Sequence, residues 1–247
     1  VRTDRRGVLR AGTVAVAGLA AGVGLLPGPR ASAEGLRAAP ETAPGSTVGP
    51  VGTPALALAR LEAGNAAWVA GRVVHPDSSA ARRRDVATHQ EPFAVVFTCI
   101  DSRVPPELVF DQGLGDLMVI RTAAHTADGL VTGSLEYGPA ELGAKLLVVM
   151  GHQRCGAVTA AVRSFRTGER LPGHLADIGQ DLRGPYEEAR RTAPAEALVD
   201  AVIRAQTRQT VARLRRDALL RPLVEAGKLE VVGGYYSLDT GEVTFGR

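Results

Sequence analysis

Cysteine is nearly absent from this 247-residue sequence: Cys99 and Cys155 are the whole complement, enough for one bridge or one pair of metal ligands. Long hydrophobic runs are missing too. The apolar stretch at residues 11–26 carries four glycines and falls short of the roughly 20 residues that a membrane span requires. No cysteine follows that stretch, so lipoprotein attachment is excluded there. A general basic excess is also lacking. The net charge is +3, yet the first 33 residues hold five arginines and one aspartate, which leaves 24 basic and 25 acidic residues beyond them. A surface built for nucleic acid is therefore not supported. There is no internal repeat, and aromatics are only 4% against 45% in the hydrophobic class, an ordinary globular balance for one domain with a full core.

The N-terminus reads as an export signal. Arg5-Arg6, then Val8-Leu9 and Arg10, resemble a twin-arginine pattern, and Ala31-Ser32-Ala33 offers an A-x-A cleavage site. Residues 1–33 are thus expected to be removed on export to a periplasmic, cell-envelope or secreted location. Such a route carries folded proteins, which suits a chain whose two thiols would otherwise meet an oxidising space. Residues 34–54 concentrate Pro, Gly, Ser and Thr and read as a linker. The catalytic domain is then 55–247.

Leu58, Leu61 and Trp68 recur at helical spacing, which predicts a helix over 55–70. A short basic helix follows at 78–88, its Arg82-Arg83-Arg84 run read as a solvated face. Apolar runs at 93–98, 117–121 and 145–150 alternate with helical stretches near 105–110, over 128–142 and from 155. Runs without polar alternation indicate strands covered on both faces, hence an α/β fold with a parallel sheet. Helices over 174–191 and 195–217, a strand at 229–233, a turn at 239–241 and a last short strand complete the chain. Ligands of such sheets bind beyond the carboxyl ends of the strands.

Cys99 closes one apolar run and opens CIDSR; His152 and Cys155 stand in GHQRC just past another. Two thiolates and one imidazole leave a tetrahedral zinc one position short, the pattern of a catalytic site. Cys99, Asp101 and Arg103 alternate, so an extended stretch projects them to one side. Asp101 then has two possible roles: fourth metal ligand in a closed state, or a carboxylate held by Arg103 that orients the reacting water. A packing cysteine pair and a structural disulfide are the bland alternatives.

The stretches CIDSRVPPELVFDQGLGDLMVIRTAAH (99–125), GSLEYG (133–138) and LLVVMGHQRCGAV (146–158) resemble the β-class carbonic anhydrase family, with likeness from 58 to 243. That resemblance implies zinc held by Cys99, His152 and Cys155, with Asp101 and Arg103 as a catalytic dyad. It implies a central four-stranded parallel sheet extended by a short antiparallel strand and flanked by helices, and a homodimer with a homotetramer as the further option. It implies reversible hydration of carbon dioxide to bicarbonate and a proton by a hydroxide generated on zinc. Gln90, Tyr137 and Gly156 match positions near bicarbonate. RTAAH (121–125) departs from the common Arg-Asn-Ala-Gly-Asn, leaving His125 as an open question for proton transfer. Val96 stands where some members carry a regulatory tryptophan. Hydrolysis of carbonyl sulfide or carbon disulfide on the same scaffold, and non-catalytic zinc binding, are the rival functions.

Overall fold

A computed structural model describes residues 51–246; the expected signal (1–33) and most of the expected linker lie outside the described residues. Helix α1 (Pro54–Val69) begins inside that linker, because the Thr53 side chain accepts the Leu56 N–H and Pro54 is pre-set for a first turn. Its Leu58 and Leu61 are buried, and its buried Asn65 holds Val109 O, Gly241 O and the Val243 N–H at 3.1, 2.9 and 2.8 Å. A polar side chain so deep is tolerated because its donors and acceptor are all met.

Helix α2 (Ala80–Asp85), strand β1 (Ala94–Cys99), helix α3 (Pro106–Val109) and strand β2 (Leu117–Thr122) follow. Then come a single helical turn at Ala123–His125, helix α4 (Gly129–Glu141), strand β3 (Leu146–His152) and helix α5 (Gly156–Thr167). The arginine run is not wholly solvated: Arg82 Nε donates to Leu114 O at 2.9 Å.

The expected helix over 174–191 is two: α6 (Leu175–Asp181) and α7 (Arg183–Ala189). Pro185 explains the break, since its ring crowds the carbonyl four residues back, at Asp181. Helix α8 (Leu198–Arg215) and a short α9 (Arg221–Glu225) precede β4 (Glu230–Tyr236) and β5 (Val243–Gly246).

The sheet order is β2-β1-β3-β4-β5, with the first four strands parallel and β5 antiparallel to β4. This is the α/β architecture expected. Strands β1 and β3 are buried throughout, whereas β2, at the edge, is half-buried at every residue. The strand expected at 229–233 runs on to Tyr236, with Gly233 and Gly234 inside β4 opposite Val149 and Met150. Helix α8 packs almost onto backbone: a Cβ at Gly151 would come 2.7 Å from Ile203 Cγ2 and 2.8 Å from Thr207 Oγ1. Only glycine permits that approach. Among the described residues, no helix is long and apolar enough to cross a membrane.

Candidate metal centre

Cys99 and His152 are the last residues of β1 and β3, neighbouring parallel strands, so the register delivers both to one end of the sheet. Cys155 follows three residues later, immediately before α5. The chain reaches it through Arg154, whose φ of 54° turns the loop back over the strand end. One ligand atom from each of Cys99, His152 and Cys155 lies within 4.8 Å of the others, and all three residues are buried. Both thiols are free, with sulfurs 3.8 Å apart, so no disulfide joins them. The Ala124 N–H donates to Cys99 Sγ at 3.3 Å.

The contact with Cys155 lowers the Cys99 pKa, followed by smaller help from His152; the same contact, with burial, raises that of Cys155. His152 Nδ1 faces Gln153 O at 3.0 Å, which fixes the tautomer with the proton on Nδ1. Its Nε2 is buried and has no hydrogen-bond partner among the described residues. An imidazole lone pair aimed at two sulfurs is a site for a cation. The spacing fits zinc: thiolates about 2.3 Å from a tetrahedral ion stand about 3.8 Å apart.

Asp101 is held beside this group. Arg103 donates from its backbone N–H and Nε to Oδ1 (3.0 and 2.9 Å) and from Nη2 to Oδ2 (2.8 Å). These bonds, the guanidinium's first among them, lower the carboxyl pKa to about 2. The residues do not meet by extended alternation as the sequence suggests. The chain turns, with Val104 N–H on Asp101 O at 3.0 Å, and the Asp101 side chain accepts its neighbour's N–H. Arg121 braces the same turn, donating to Cys99 O at 2.9 Å and Asp101 O at 2.5 Å.

A second brace joins the ligand loop to the β4–β5 turn. Asp239 accepts from Gln153 Nε2 (2.9 Å) and from both terminal nitrogens of Arg154 (3.0 and 2.6 Å), while Gln153 Oε1 accepts the Leu238 N–H (3.1 Å). Sequence reading marked Asp239 only as a turn residue and missed this link, as it missed Arg121; neither carries a local signal beyond its type.

Gly156 opens α5, and the space where a Cβ would stand is clear. Gln90 and Tyr137 are elsewhere. They line a cavity of about 510 Å³ along β2, with Leu130 and Ser134, and none of the metal-site donors borders it. Gln90 precedes the start of β1 and Cys99 ends it, so the six-residue strand, roughly 16 Å, separates them within one chain.

His125 is 1% exposed, packed edge-to-face on Phe97, with Nε2 3.3 Å from Thr207 Oγ1. Burial lowers its pKa to about 4. It has no contact with solvent through which to pass a proton. Val96 is fully buried in the core.

The sequence profile of the family described as Carbonic anhydrase matches residues 94–243. Carbonic anhydrase 2 of Mycobacterium tuberculosis (strain H37Rv) is 40% identical over 189 residues, 76% of this chain and 90% of its own. The carbonic anhydrase of Mycolicibacterium smegmatis is 39% identical over 195 residues, 78% of this chain and 94% of its own. Among solved structures, a tetrameric β-carbonic anhydrase of Sordaria macrospora has a TM-score of 0.59 at 24% identity, over 66% of this chain and 84% of that one. A Coccomyxa β-carbonic anhydrase gives 0.57 at 24%, over 65% and 74%. At that identity the likeness speaks to the fold.

Proposed function

This chain belongs to the β-class carbonic anhydrase family and is an enzyme, and we propose that it hydrates carbon dioxide reversibly to bicarbonate and a proton with zinc held by Cys99, His152 and Cys155. The observation that carries this reading is the ionised carboxylate of Asp101, gripped by Arg103, beside a buried Cys-His-Cys group. Bound zinc supplies Lewis acidity, bringing the ionisation of a water molecule into the neutral range.

The rest is work for the chain's own residues. His152 offers Nε2 because Nδ1 is spent on Gln153 O. Asp101 accepts a hydrogen bond from the reacting water and sets its orientation toward the carbon. Arg103 keeps that carboxylate charged and occupies both of its oxygens, which favours the open role of Asp101 over ligation. Storage of a metal alone gives no use for this pair.

A homodimer is the assembly we propose, and the placement of Gln90 and Tyr137 along β2, away from the metal-site donors, supports it. Two copies set side by side along β2, related by a two-fold axis, run antiparallel, so the Gln90 end of one chain meets the Cys99 end of the other. Leu130, 85% exposed beside that edge, would be covered. Gln90 and Tyr137 then reach bicarbonate across the contact, with the Gly156 N–H on its own side. For the N-terminus, the twin-arginine pattern supports export. A mature chain beginning at Glu34 in the envelope or medium is its test, and a retained signal would count against it.

The deciding experiment measures zinc content and hydration together on the purified chain, with carbon dioxide, carbonyl sulfide and carbon disulfide compared side by side. One zinc per chain and carbon dioxide as the fastest substrate are expected. A faster sulfur-containing gas, or zinc without turnover, would overturn the assignment.

A further inference from the structure

Two residues in succession, Ala124 and His125, hold left-handed backbone, with φ of 53° and 45°. A side chain with a Cβ resists that region. Glycine and asparagine accept it most readily, and they are the residues of the common pattern at these two places. This chain keeps the shape without the residues that favour it, so contacts from elsewhere must hold it. What the shape delivers is a donor: the Ala124 N–H meets Cys99 Sγ at 3.3 Å.

The holding group is the His125 ring. It is buried, packed edge-to-face on Phe97 of β1 with centroids 6.1 Å apart, and its Nε2 lies 3.3 Å from Thr207 Oγ1 of α8. Thr207 Oγ1 donates its own proton to Ile203 O at 3.0 Å, so Nε2 is the donor in the contact between them. Nδ1 is buried and has no hydrogen-bond partner among the described residues. Such a ring serves by where it sits. Two threonines staple the ends of the turn: Thr122 Oγ1 donates to Thr126 O at 2.6 Å and Thr126 Oγ1 to Ala123 O at 3.0 Å. Neither reaches the peptide between Ala124 and His125.

We infer that His125 is a positioning residue for the metal: its buried ring, seated between Phe97 and Thr207, takes the place of local backbone preference and keeps the Ala124 N–H on the Cys99 sulfur. A hydrogen bond to a metal-bound thiolate draws charge from the sulfur and so tunes the ion that the sulfur holds. The inference rests on the metal reading proposed above, and it assigns the ring no proton transfer.

The test loads the full chain with cobalt(II) and follows the thiolate-to-cobalt charge-transfer band, with metal release to a chelator measured beside it. A sulfur relieved of its N–H gives up an electron more easily. The band of His125→Ala should therefore move to longer wavelength, and release should quicken about tenfold. Thr207→Val, which withdraws the bond to the ring, should move the band the same way by less, and it decides the matter if His125→Ala does not fold. Ala124→Gly combined with His125→Asn supplies the backbone preference without the ring, and should return the band to its parent position. Leu214→Ala opens a cavity in a separate core cluster on α8 and should leave the band where it is. A parent chain that binds no cobalt overturns the metal reading and this inference together. With cobalt bound, an unmoved band in His125→Ala and Thr207→Val, an equal shift in Leu214→Ala, or failure of the paired rescue overturns the positioning role alone.

Discussion

The Asp101 carboxylate stands 3.9 Å from His152 Nε2 and stays there because Arg103 binds both of its oxygens. A candidate metal donor and a charged acceptor thus sit side by side. Asp101→Ala is expected to retain zinc and lose at least about a hundredfold in hydration. Stopped-flow rates with metal analysis on the same sample measure both; unchanged rates would remove Asp101 from its role.

Arg103→Ala tests the other half of the pair. Asp101 is lowered to about 2 from an ordinary 3.8 chiefly by this guanidinium. A depressed carboxyl stabilises the fold above its unfolded pKa, and that contribution is lost as pH falls through the folded value, here between about 4 and about 2. The variant should lose most of this contribution, so that its stability is lower above about pH 4 and changes less between about 4 and about 2, and it should have lower activity at neutral pH. Denaturation profiles against pH give the first effect, stopped-flow rates the second.

Cys155→Ser is expected to lose the metal itself, since removing one of three ligands leaves too few to hold it. Mass spectrometry under non-denaturing conditions should find one zinc in the parent chain and none in the variant. Titration of the metal-free parent should count two free thiols.

Asp239→Ala should release zinc faster by roughly tenfold, the usual scale for groups that orient metal ligands. The substitution is exposed and removes the acceptor shared by Gln153 and Arg154. Transfer of zinc to a colorimetric chelator reads the rate directly. Asp239→Asn keeps one acceptor and should recover part of it.

His125→Phe isolates a buried titration. The folded pKa of His125, about 4, lies below its ordinary 6.5, so the fold favours the neutral ring. That stability is fully present above pH 6.5 and falls as pH drops from there toward 4, by up to about 1.4 kcal/mol per unit. Urea midpoints for the variant should flatten over this window. The shape of its activity profile above pH 7 should not change; a lost limb there would restore a role in proton transfer.

Strand identity was legible because β1 and β3 are buried on both faces and therefore apolar at every step, with Cys99 and His152 marking their ends. For the same reason the sequence could place the three candidate donors, Cys99, His152 and Cys155, at one end of the sheet. The supports of that group were not legible. Arg121 and Asp239 come from 20 or more residues away in sequence and serve through single contacts, which leave no periodicity. The turn at Asp101 was read as extended because residue alternation says nothing about a side chain capping its own backbone. Ala124, at φ 53°, occupies a left-handed position that its residue type does not announce.

The three candidate metal donors come from two strand ends, with Cys99 separated from Cys155 by 56 residues and joined to it only when β1 pairs with β3. His152 and Cys155 are near neighbours in any conformation; Cys99 is not. Firm retention of zinc is therefore a certificate that the central sheet has closed. A metal-content assay would in that case double as an assay of folding.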